Sequence, residues 1–303
     1  MWLATKTLDA INQMLEKDQG AKFRGHLRHL MPQAEDAYRE EESTFRTHLG
    51  ASMIGRECAR EIWYGHRWTT RPRHIGRMVR LFNRGHLEEP RFIAMLLGIG
   101  CKVWQLDQNG NQFRVSSFGG HYSGSLDGVA LGIPEMPETP ILTEFKTHND
   151  KSFQKLVSSG VLNAKWEHFV QMQQYMGKMN LTHALYMAVN KNDDTLHAEI
   201  VQFDQRQFER YHDRANEILL SQDPPPRINN SIGYFKCKFC DHSPVCHGGA
   251  IPDRNCRTCR YSRPEVSSGQ WVCDNIVCPG PLDKEIQLKS CSHYEQRESI
   301  KAK

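Results

Sequence analysis

The sequence predicts a mixed α/β fold that ends in a small cysteine-rich module. Helical apolar spacing dominates the first 98 residues, a strand-rich block follows over 101–147, and helix and strand patterns then alternate up to residue 220. Beyond Pro224-Pro225-Pro226 this periodicity fades, and eight of the ten cysteines fall between residues 237 and 291. Such a change is expected where a small unit is held together by metal rather than by a large apolar core.

Each predicted element rests on its own apolar spacing. Spacing near 3.6 residues predicts two or three helices within 5–45 and single helices over 52–68, 86–98, 165–179 and 205–220. Alternation and turn signals such as Asn-Gly predict strands within 101–117, 122–132, 141–147, 183–190 and 197–204.

Composition limits the class of protein. A chain of 303 residues can bury one sizeable core with an appendage, or two domains. Its longest apolar run, FIAMLLGIG, is far shorter than the roughly 20 residues of a membrane span. The start carries acidic residues and no cleavage-like site, so we expect a cytoplasmic protein whose cysteines serve metal or redox chemistry. A net charge of +4 permits an anionic partner without demanding one.

The segments GSLDG (124–128) and TEFKT (143–147) carry the most informative chemistry. Side chains alternate along a strand, so Glu144 and Lys146 share one face while Phe145 points into the opposite layer. Asp127, on a neighbouring strand, can meet them there. Two carboxylates are hard ligands suited to Mg²⁺ or Mn²⁺, and a lysine beside them can orient a water or stabilise developing charge. A solvated Glu-x-Lys pair on a surface strand is the common alternative.

These residues resemble the PD-(D/E)XK nuclease superfamily, in which an aspartate is followed by Glu-x-Lys. Here the aspartate is Asp127, preceded by Leu126 in place of the proline, and Glu144 and Lys146 follow about seventeen residues later. The resemblance implies a restriction-endonuclease-like α/β core, with N-terminal helices before it and a small metal-binding module after it.

Two further segments resemble the RecB-like branch of that superfamily. Gln171 and Tyr175 match its Gln-hydrophobic-x-x-Tyr motif, and they share one face of a helix because they are four residues apart. Upstream, Gly85 and Glu89 match the Gly-x-x-x-Glu element of lambda-type exonucleases. RecB-type enzymes place a metal-binding histidine in the same region, and His86 fits that spacing less well.

The resemblance implies a Mg²⁺- or Mn²⁺-dependent DNA exonuclease for phage or recombination and replication DNA processing. Asp127 and Glu144 would hold the metal and Lys146 would position the water, with Glu89, Gln171 and Tyr175 in support. DNA is the implied partner, with a recombination or replication protein as a second partner and no membrane. Two alternatives stay open, an endonuclease of the same superfamily and a non-catalytic DNA-binding adaptor.

Cys58, Cys237, Cys240 and Cys246 are similar in spacing to a cysteine pattern of AddB-type helicase-nucleases and CRISPR-adaptation nucleases. The resemblance implies a [4Fe-4S] cluster that closes a nuclease domain over residues 1–250. In the alternative, Cys58 is a plain buried cysteine and the three later thiolates bind zinc together with His242 or His247.

The remaining cysteines predict a zinc-ribbon-like module over 251–303. We expect Cys256, Cys259, Cys273 and Cys291 to bind the Zn²⁺, with Cys278 or His293 as substitutes, and Trp271 to pack in the small core. Such a module would hold DNA or a partner protein, or it would only cap the fold.

An arginine-rich region before the nuclease motifs suits phosphate groups, because the guanidinium fork matches phosphate oxygens. Arg46 and Ser52 resemble the pair that holds a terminal phosphate in lambda-type exonucleases. A solvated basic helix is the alternative for the arginines that follow, which are Arg56, Arg60, Arg67, Arg71, Arg73, Arg77, Arg80 and Arg84.

Overall fold

A computed structural model describes residues 1–40 and 45–300, and the chain divides into two compact units. Unit 1 comprises residues 1–42, 74–115 and 125–208, and unit 2 comprises 43–73, 116–124 and 209–303. The predicted domain boundary between residues 250 and 251 falls inside unit 2 and stays a prediction.

The elements follow in chain order. The first are β1 (Trp2–Leu3), α1 (Thr5–Lys17), α2 (Ala21–Leu30), α3 (Glu35–Tyr38), β2 (Leu49–Gly50), α4 (Ala59–His66), α5 (Gly76–Gly98), β3 (Lys102–Trp104), β4 (Arg114–Ser117), β5 (Tyr122–Ser125), β6 (Gly128–Leu131) and β7 (Ile141–His148). The rest are α6 (Asp150–Ala164), α7 (Trp166–Met179), β8 (His183–Asn190), β9 (Leu196–Gln202), α8 (Gln205–Leu220), α9 (Phe235–Lys238), α10 (Ser243–His247), β10 (Ser262–Glu265), β11 (Gln270–Cys273), β12 (Gly280–Leu282) and α11 (Lys284–Lys289).

A six-stranded mixed sheet organises unit 1, with the strand order β1-β9-β8-β7-β6-β3. Strands β6 and β7 run antiparallel, whereas β7 and β8 run parallel and are joined through α6 and α7. A parallel pair needs such a crossover, because a tight turn can join only antiparallel neighbours. The predicted mixed α/β fold class is confirmed.

The apolar core of unit 1 lies between the sheet and the helices α1 and α5. Phe92 and Ile93 of α5 are buried against sheet residues that include Phe145, Met187 and Ile200. The rings of Phe92 and Phe145 are stacked, with centroids 4.9 Å apart. Phe145 thus faces the core as its alternation predicts, which leaves its neighbours in β7 for the opposite face.

Three helices differ from the prediction, two in their boundaries and one in its existence. Helix α5 starts at Gly76, ten residues before the expected start, because the intervening arginines and apolar residues are good helix formers, and it contains Pro90. Helix α6 was not predicted, although Asn149 caps it by accepting a 2.9 Å hydrogen bond from the Ser152 amide. Helix α4 is shorter than the expected 52–68, and Cys58 is its extended N-cap residue.

The predicted N-terminal helices correspond to α1, α2 and α3, while residues 41–44 of the expected range lie outside the described part of the chain. In unit 2, β2 pairs in parallel with β5, and β10, β11 and β12 form an antiparallel sheet. Trp271 of β11 is buried, as predicted. No helix in residues 1–40 and 45–300 is long and apolar enough to cross a membrane.

Replacing Phe92 with Ala is expected to lower the free energy of unfolding by about 3–5 kcal/mol, since it opens a cavity opposite Phe145. The matched control is Phe82→Ala in the same helix, where 43% of Phe82 is exposed against none of Phe92. The control should cost less than about 1 kcal/mol. Urea titrations of both variants make the comparison, and equal losses would contradict this packing.

Candidate active site

Strand pairing brings the predicted carboxylates and lysine together in unit 1. Gly128 pairs with Thr143, so Asp127 lies immediately before β6, beside Glu144 and Phe145 of β7. Asp127 Oδ2 accepts a 2.7 Å hydrogen bond from the Phe145 amide, and this bond fixes the aspartate against the neighbouring strand. Lys146 Nζ forms an ion pair with Glu144 and lies 3.9 Å from Asp127 Oδ2.

Burial and charge act against each other at this cluster. Glu144 is fully buried, and burial together with the negative charge of Asp127 raises its pKa to about 7, although Lys146 opposes that rise. Burial alone would lower the pKa of Lys146, but Glu144 and Asp127 outweigh that effect and raise it. Lys146 is therefore held as an ammonium ion, because its charged form is the one that the carboxylates stabilise.

Helix α5 supplies Glu89 to the same cluster. Burial and the negative charge of Asp127 raise the pKa of Glu89 to about 8, as expected where two carboxyl groups repel each other. His86 lies one turn earlier, with its Nδ1 3.9 Å from Glu89 Oε1. The adjacent Glu88 is mostly buried and instead contacts Arg91 at 3.4 Å. Of the two glutamates, only Glu89 belongs to the carboxylate cluster.

Helix α7 supplies Gln171 and Tyr175. The Gln171 amide Nε2 donates a 3.2 Å hydrogen bond to the Tyr175 hydroxyl, and both residues are buried. Burial, followed by the charges of Glu144 and Asp127, raises the pKa of Tyr175. The Tyr175 hydroxyl therefore remains protonated, and the negative charges of Glu144 and Asp127 act on it.

The oxygen ligands fit a hard divalent cation. Glu144 Oε2 is buried and has no hydrogen-bond partner in the described part of the chain, so one oxygen remains for a ligand. Asp127 and Glu144 repel each other, and a cation would offset that repulsion. No three His, Cys, Asp or Glu side chains among residues 1–40 and 45–300 are already arranged as a metal site.

Sequence reasoning missed a polar network beside these residues. The Tyr186 hydroxyl lies 2.9 Å from His148 Nε2 and 2.9 Å from His168 Nδ1. Two patterns could have found it. His148 continues the alternation of Glu144 and Lys146 on β7, and His168 precedes Gln171 by one helical turn. Tyr186 pairs with Glu144 across β7 and β8, which only the three-dimensional register reveals.

The first cysteine group lines one small pocket in unit 2. Cys58, Cys237, Cys240 and Cys246 surround it together with His242 and His247. Burial raises the pKa of Cys237, and the nearby thiols of Cys58 and Cys246 raise it further. Burial also raises the pKa of Cys240 to about 12. Cys58 is thus brought to the later cysteines, while metal binding by these four residues, and the kind of metal, stay predictions.

The second cysteine group lines another pocket of unit 2. Cys256, Cys259, Cys273, Cys278, Cys291 and His293 all surround it. Burial, followed by the charge of Cys291, raises the pKa of Cys256 to about 12. All six predicted or substitute ligands therefore surround one pocket, while zinc binding and the choice of four ligands stay predictions.

One arginine of the predicted basic region is buried instead of lining a surface. Only 1% of Arg67 is exposed, and its guanidinium lies 5.0 Å and 5.1 Å from the ring centroids of Trp63 and Trp271. These aromatic neighbours explain the difference, because they stack on the planar guanidinium. Arg77, Arg80 and Arg84, in the first half of α5, are exposed as expected.

No family model and no curated protein matches the chain. The crystal structure of SSO0001 shares 13% identity and a TM-score of 0.37, over 72% of this chain and 95% of the other. An alkaline exonuclease, LHK-Exo from Laribacter hongkongensis, shares 15% identity and a TM-score of 0.43, over 57% and 86%. LHK-Exo in complex with dAMP shares 16% identity, with the same TM-score and coverage. At TM-scores below 0.5 these likenesses establish neither a family nor an activity.

Replacing Asp127 with Asn is expected to lower the pKa of Glu89 from about 8 toward its ordinary value, because a neighbouring negative charge is removed while burial remains. A carbon-13 NMR titration of the glutamate carboxyl groups, without divalent cations, measures this change. Asp150→Asn serves as the control, since Asp150 is not among the charges that act on Glu89. An unchanged Glu89 pKa in the Asp127 variant would contradict the proximity of the two groups.

Proposed function

We propose that this protein is a divalent-metal-dependent DNA nuclease that removes nucleotides from a DNA end. The observation that carries the proposal is the cluster of Asp127, Glu144 and Lys146 on paired strands, in which the fully buried Glu144 keeps one oxygen without a partner among the described residues. A solvated Glu-x-Lys pair would have no reason to bury its carboxylate, because burial disfavours the charged form.

Asp127 and Glu144 would hold a Mg²⁺ or Mn²⁺ ion between β6 and β7. When bound, the ion lowers the pKa of a water molecule and stabilises the negative charge that builds up on the phosphate during hydrolysis. The chain's own contribution is to keep two carboxylates close together in spite of their repulsion, through the hydrogen bond from the Phe145 amide and the ion pair with Lys146.

Lys146 acts as a hydrogen-bond donor and a positive charge. Its neighbours hold it protonated, so it can orient the attacking water and stabilise the phosphate charge without first losing a proton. Glu89 adds a carboxyl group whose raised pKa suits proton exchange near neutral pH. Tyr175, held by Gln171, adds a protonated hydroxyl on the α7 side of the cluster.

DNA is the proposed substrate because α5 carries both a carboxyl group of the cluster and a set of exposed arginines. Glu89 belongs to the carboxylate cluster, and Arg77, Arg80 and Arg84 are exposed in the first half of the same helix. Exposed arginines attract phosphate groups and raise the rate of encounter with DNA. A recombination or replication protein remains the proposed second partner.

Two metal groups are proposed for unit 2, and thiols that share a pocket support both. A [4Fe-4S] cluster held by Cys58, Cys237, Cys240 and Cys246 needs four thiolates, and these four line one pocket beside Arg60 and Arg227, whose charges would offset those of the thiolates. A zinc ion held by Cys256, Cys259, Cys273 and Cys291 needs four N or S ligands, which the second pocket provides.

End-labelled linear DNA and covalently closed circular DNA, each with Mg²⁺ or Mn²⁺, test the activity and its mode. An exonuclease shortens the linear DNA and spares the circle. Cleavage of the circle would support the endonuclease alternative. Binding without cleavage of either substrate would overturn the nuclease proposal and leave the adaptor.

Asp127→Asn and Glu144→Gln should each lower the cleavage rate by at least about a hundredfold, because each removes a ligand charge that the reaction needs. Neither should lower the melting temperature greatly, because the amides are isosteric and relieve carboxylate repulsion. Glu88 and Glu89 form a matched pair on α5. Glu89→Gln should slow cleavage, whereas Glu88→Gln should spare it, because Glu88 contacts Arg91. Full activity in Glu144→Gln would reject the site.

Cys58→Ala should abolish the brown colour and the roughly four irons per chain expected of an anaerobically purified cubane protein. Cys101→Ala is the matched control, because Cys101 is also a free cysteine but belongs to the core of unit 1. Elemental analysis should find zinc in both variants, bound by the second cysteine group. A Cys58 variant that keeps its metal would show that the later thiolates bind zinc with a histidine instead.

A further inference from the structure

Unit 2 contains a cleft of about 510 Å³ that the proposed nuclease chemistry does not use. This volume falls within the usual range for small-molecule sites, roughly 300–1,000 Å³. The polar and aromatic residues that matter for its chemistry are His121, Arg257, Gln270, Trp271, Lys284 and Gln287. The cysteine groups line other pockets of unit 2, so the cleft is a separate feature.

Two glycine turns form part of the wall. A Cβ atom on Gly119 would lie 2.4 Å from the Gly269 amide nitrogen, and one on Gly269 would lie 1.9 Å from the Gly119 carbonyl oxygen. Both residues also have positive φ angles, 63° and 74°. Since no larger residue fits either position, the two turns form a fixed part of the wall.

Arg257 is the central charged residue of the cleft. Only 2% of it is exposed, and its guanidinium carbon lies 3.7 Å from the Trp68 ring centroid and 4.6 Å from that of Trp271. Its Nε donates to Gln287 Oε1 at 2.7 Å, and Nη1 donates to the His66 carbonyl at 2.9 Å. The third nitrogen, Nη2, has no hydrogen-bond partner in the described part of the chain.

The positive charge of Arg257 has no carboxylate partner among residues 1–40 and 45–300. Arg67, Arg257 and Arg297 are all buried in unit 2, where the charge of Asp223 partly opposes the lowering of the pKa of Arg67 and Arg297, but no carboxylate acts on Arg257 in this way. Arg67 donates to the carbonyl groups of Arg257 and Ser262, at 3.3 Å and 3.0 Å. Carbonyl groups satisfy the donors but leave the charge, so a bound anion would lower the cost of burial.

Other polar groups of the cleft are consistent with an anion. Trp271 is 98% buried, and its Nε1 donor has no partner among the described residues. Lys284 lines the cleft and is exposed, whereas the carboxylate of Asp283 already accepts a 2.7 Å hydrogen bond from the Ile286 amide. The cleft therefore offers donors and positive charge, with one carboxylate that is engaged in capping α11.

We propose that this cleft binds the phosphate group of a nucleotide, with Arg257 and Lys284 as its cationic contacts. The choice of a nucleotide as the carrier of the phosphate rests on the proposed function, since a DNA nuclease meets both DNA strands and free mononucleotides. Both sources present the same phosphate chemistry, and the remaining nitrogen of Arg257, Nη2, can donate a charge-assisted hydrogen bond to a phosphate oxygen.

The test compares two lysines of α11 in the full-length protein, purified with its metals and carrying Glu144→Gln so that DNA is not degraded. Lys284→Glu alters the cleft, whereas Lys289→Glu makes the same charge change outside it, at a residue that pairs with Glu285. Gln270→Glu, which adds a carboxylate to the wall, is the second cleft variant. Fluorescence anisotropy with a short labelled single-stranded oligonucleotide measures DNA binding, and the rise in melting temperature with dAMP or inorganic phosphate measures binding of free anions.

Lys284→Glu should weaken oligonucleotide binding about tenfold and reduce the salt dependence by about one counterion, as expected for one lost phosphate contact. Gln270→Glu should also weaken it, and Lys289→Glu should change neither quantity. If Lys284→Glu and Gln270→Glu lose the stabilisation by dAMP and phosphate but keep oligonucleotide binding, the phosphate that the cleft binds belongs to a free nucleotide and not to DNA. Equal behaviour of Lys284→Glu and Lys289→Glu with every probe would overturn the proposal.

Failure of this proposal can be told apart from failure of the nuclease proposal. If Asp127→Asn retains full activity, the catalytic site is wrong, but the difference between Lys284 and Lys289 still decides the cleft.

Discussion

The consecutive residues Glu144, Phe145 and Lys146 of strand β7 alternate between the two faces of the sheet. Phe145 lies on the core face, and the ion pair of Glu144 and Lys146 lies on the opposite face. Phe145 stacks on Phe92 in the core of unit 1, and this contact fixes which way Glu144 and Lys146 must point. The amide of the same Phe145 also holds Asp127, through a 2.7 Å hydrogen bond. One residue therefore joins the stability of the core to the geometry of the carboxylate cluster. A shift of the strand register by one residue would exchange the two faces. Both the packing of Phe145 in the core and the geometry of the carboxylate cluster would then be lost.

The sequence predicts what depends on local spacing. Alternation in β7 puts Glu144 and Lys146 together, and the four-residue spacing of Gln171 and Tyr175 puts them on one face of α7. The spacing does not reveal Tyr186, because its position beside Glu144 arises from the parallel register of two strands that a helical crossover separates. Burial of Arg67 is hidden for a similar reason, since it depends on Trp271, which lies more than two hundred residues away in the chain.

The two cysteine groups are the proposed means by which a unit with little apolar periodicity is held together. Burial raises the pKa of the Cys240 and Cys256 thiols to about 12. Binding of the proposed metals would therefore release protons, and it would link the stability of unit 2 to both metal supply and pH. Cross-links between distant positions such as Cys58 and Cys246 would also restrict the unfolded chain more than local ones.

Helix α5 contains Pro90 immediately after Glu89. Proline has no amide hydrogen, so the carbonyl of His86 lacks its usual partner within the helix. The helix therefore lacks one backbone hydrogen bond beside Glu89, between a half that carries exposed arginines and a half that is packed in the core. If DNA binds these arginines as proposed, tension in the strand would bend α5 at this point and change the position of Glu89, while the buried half of α5 stays anchored.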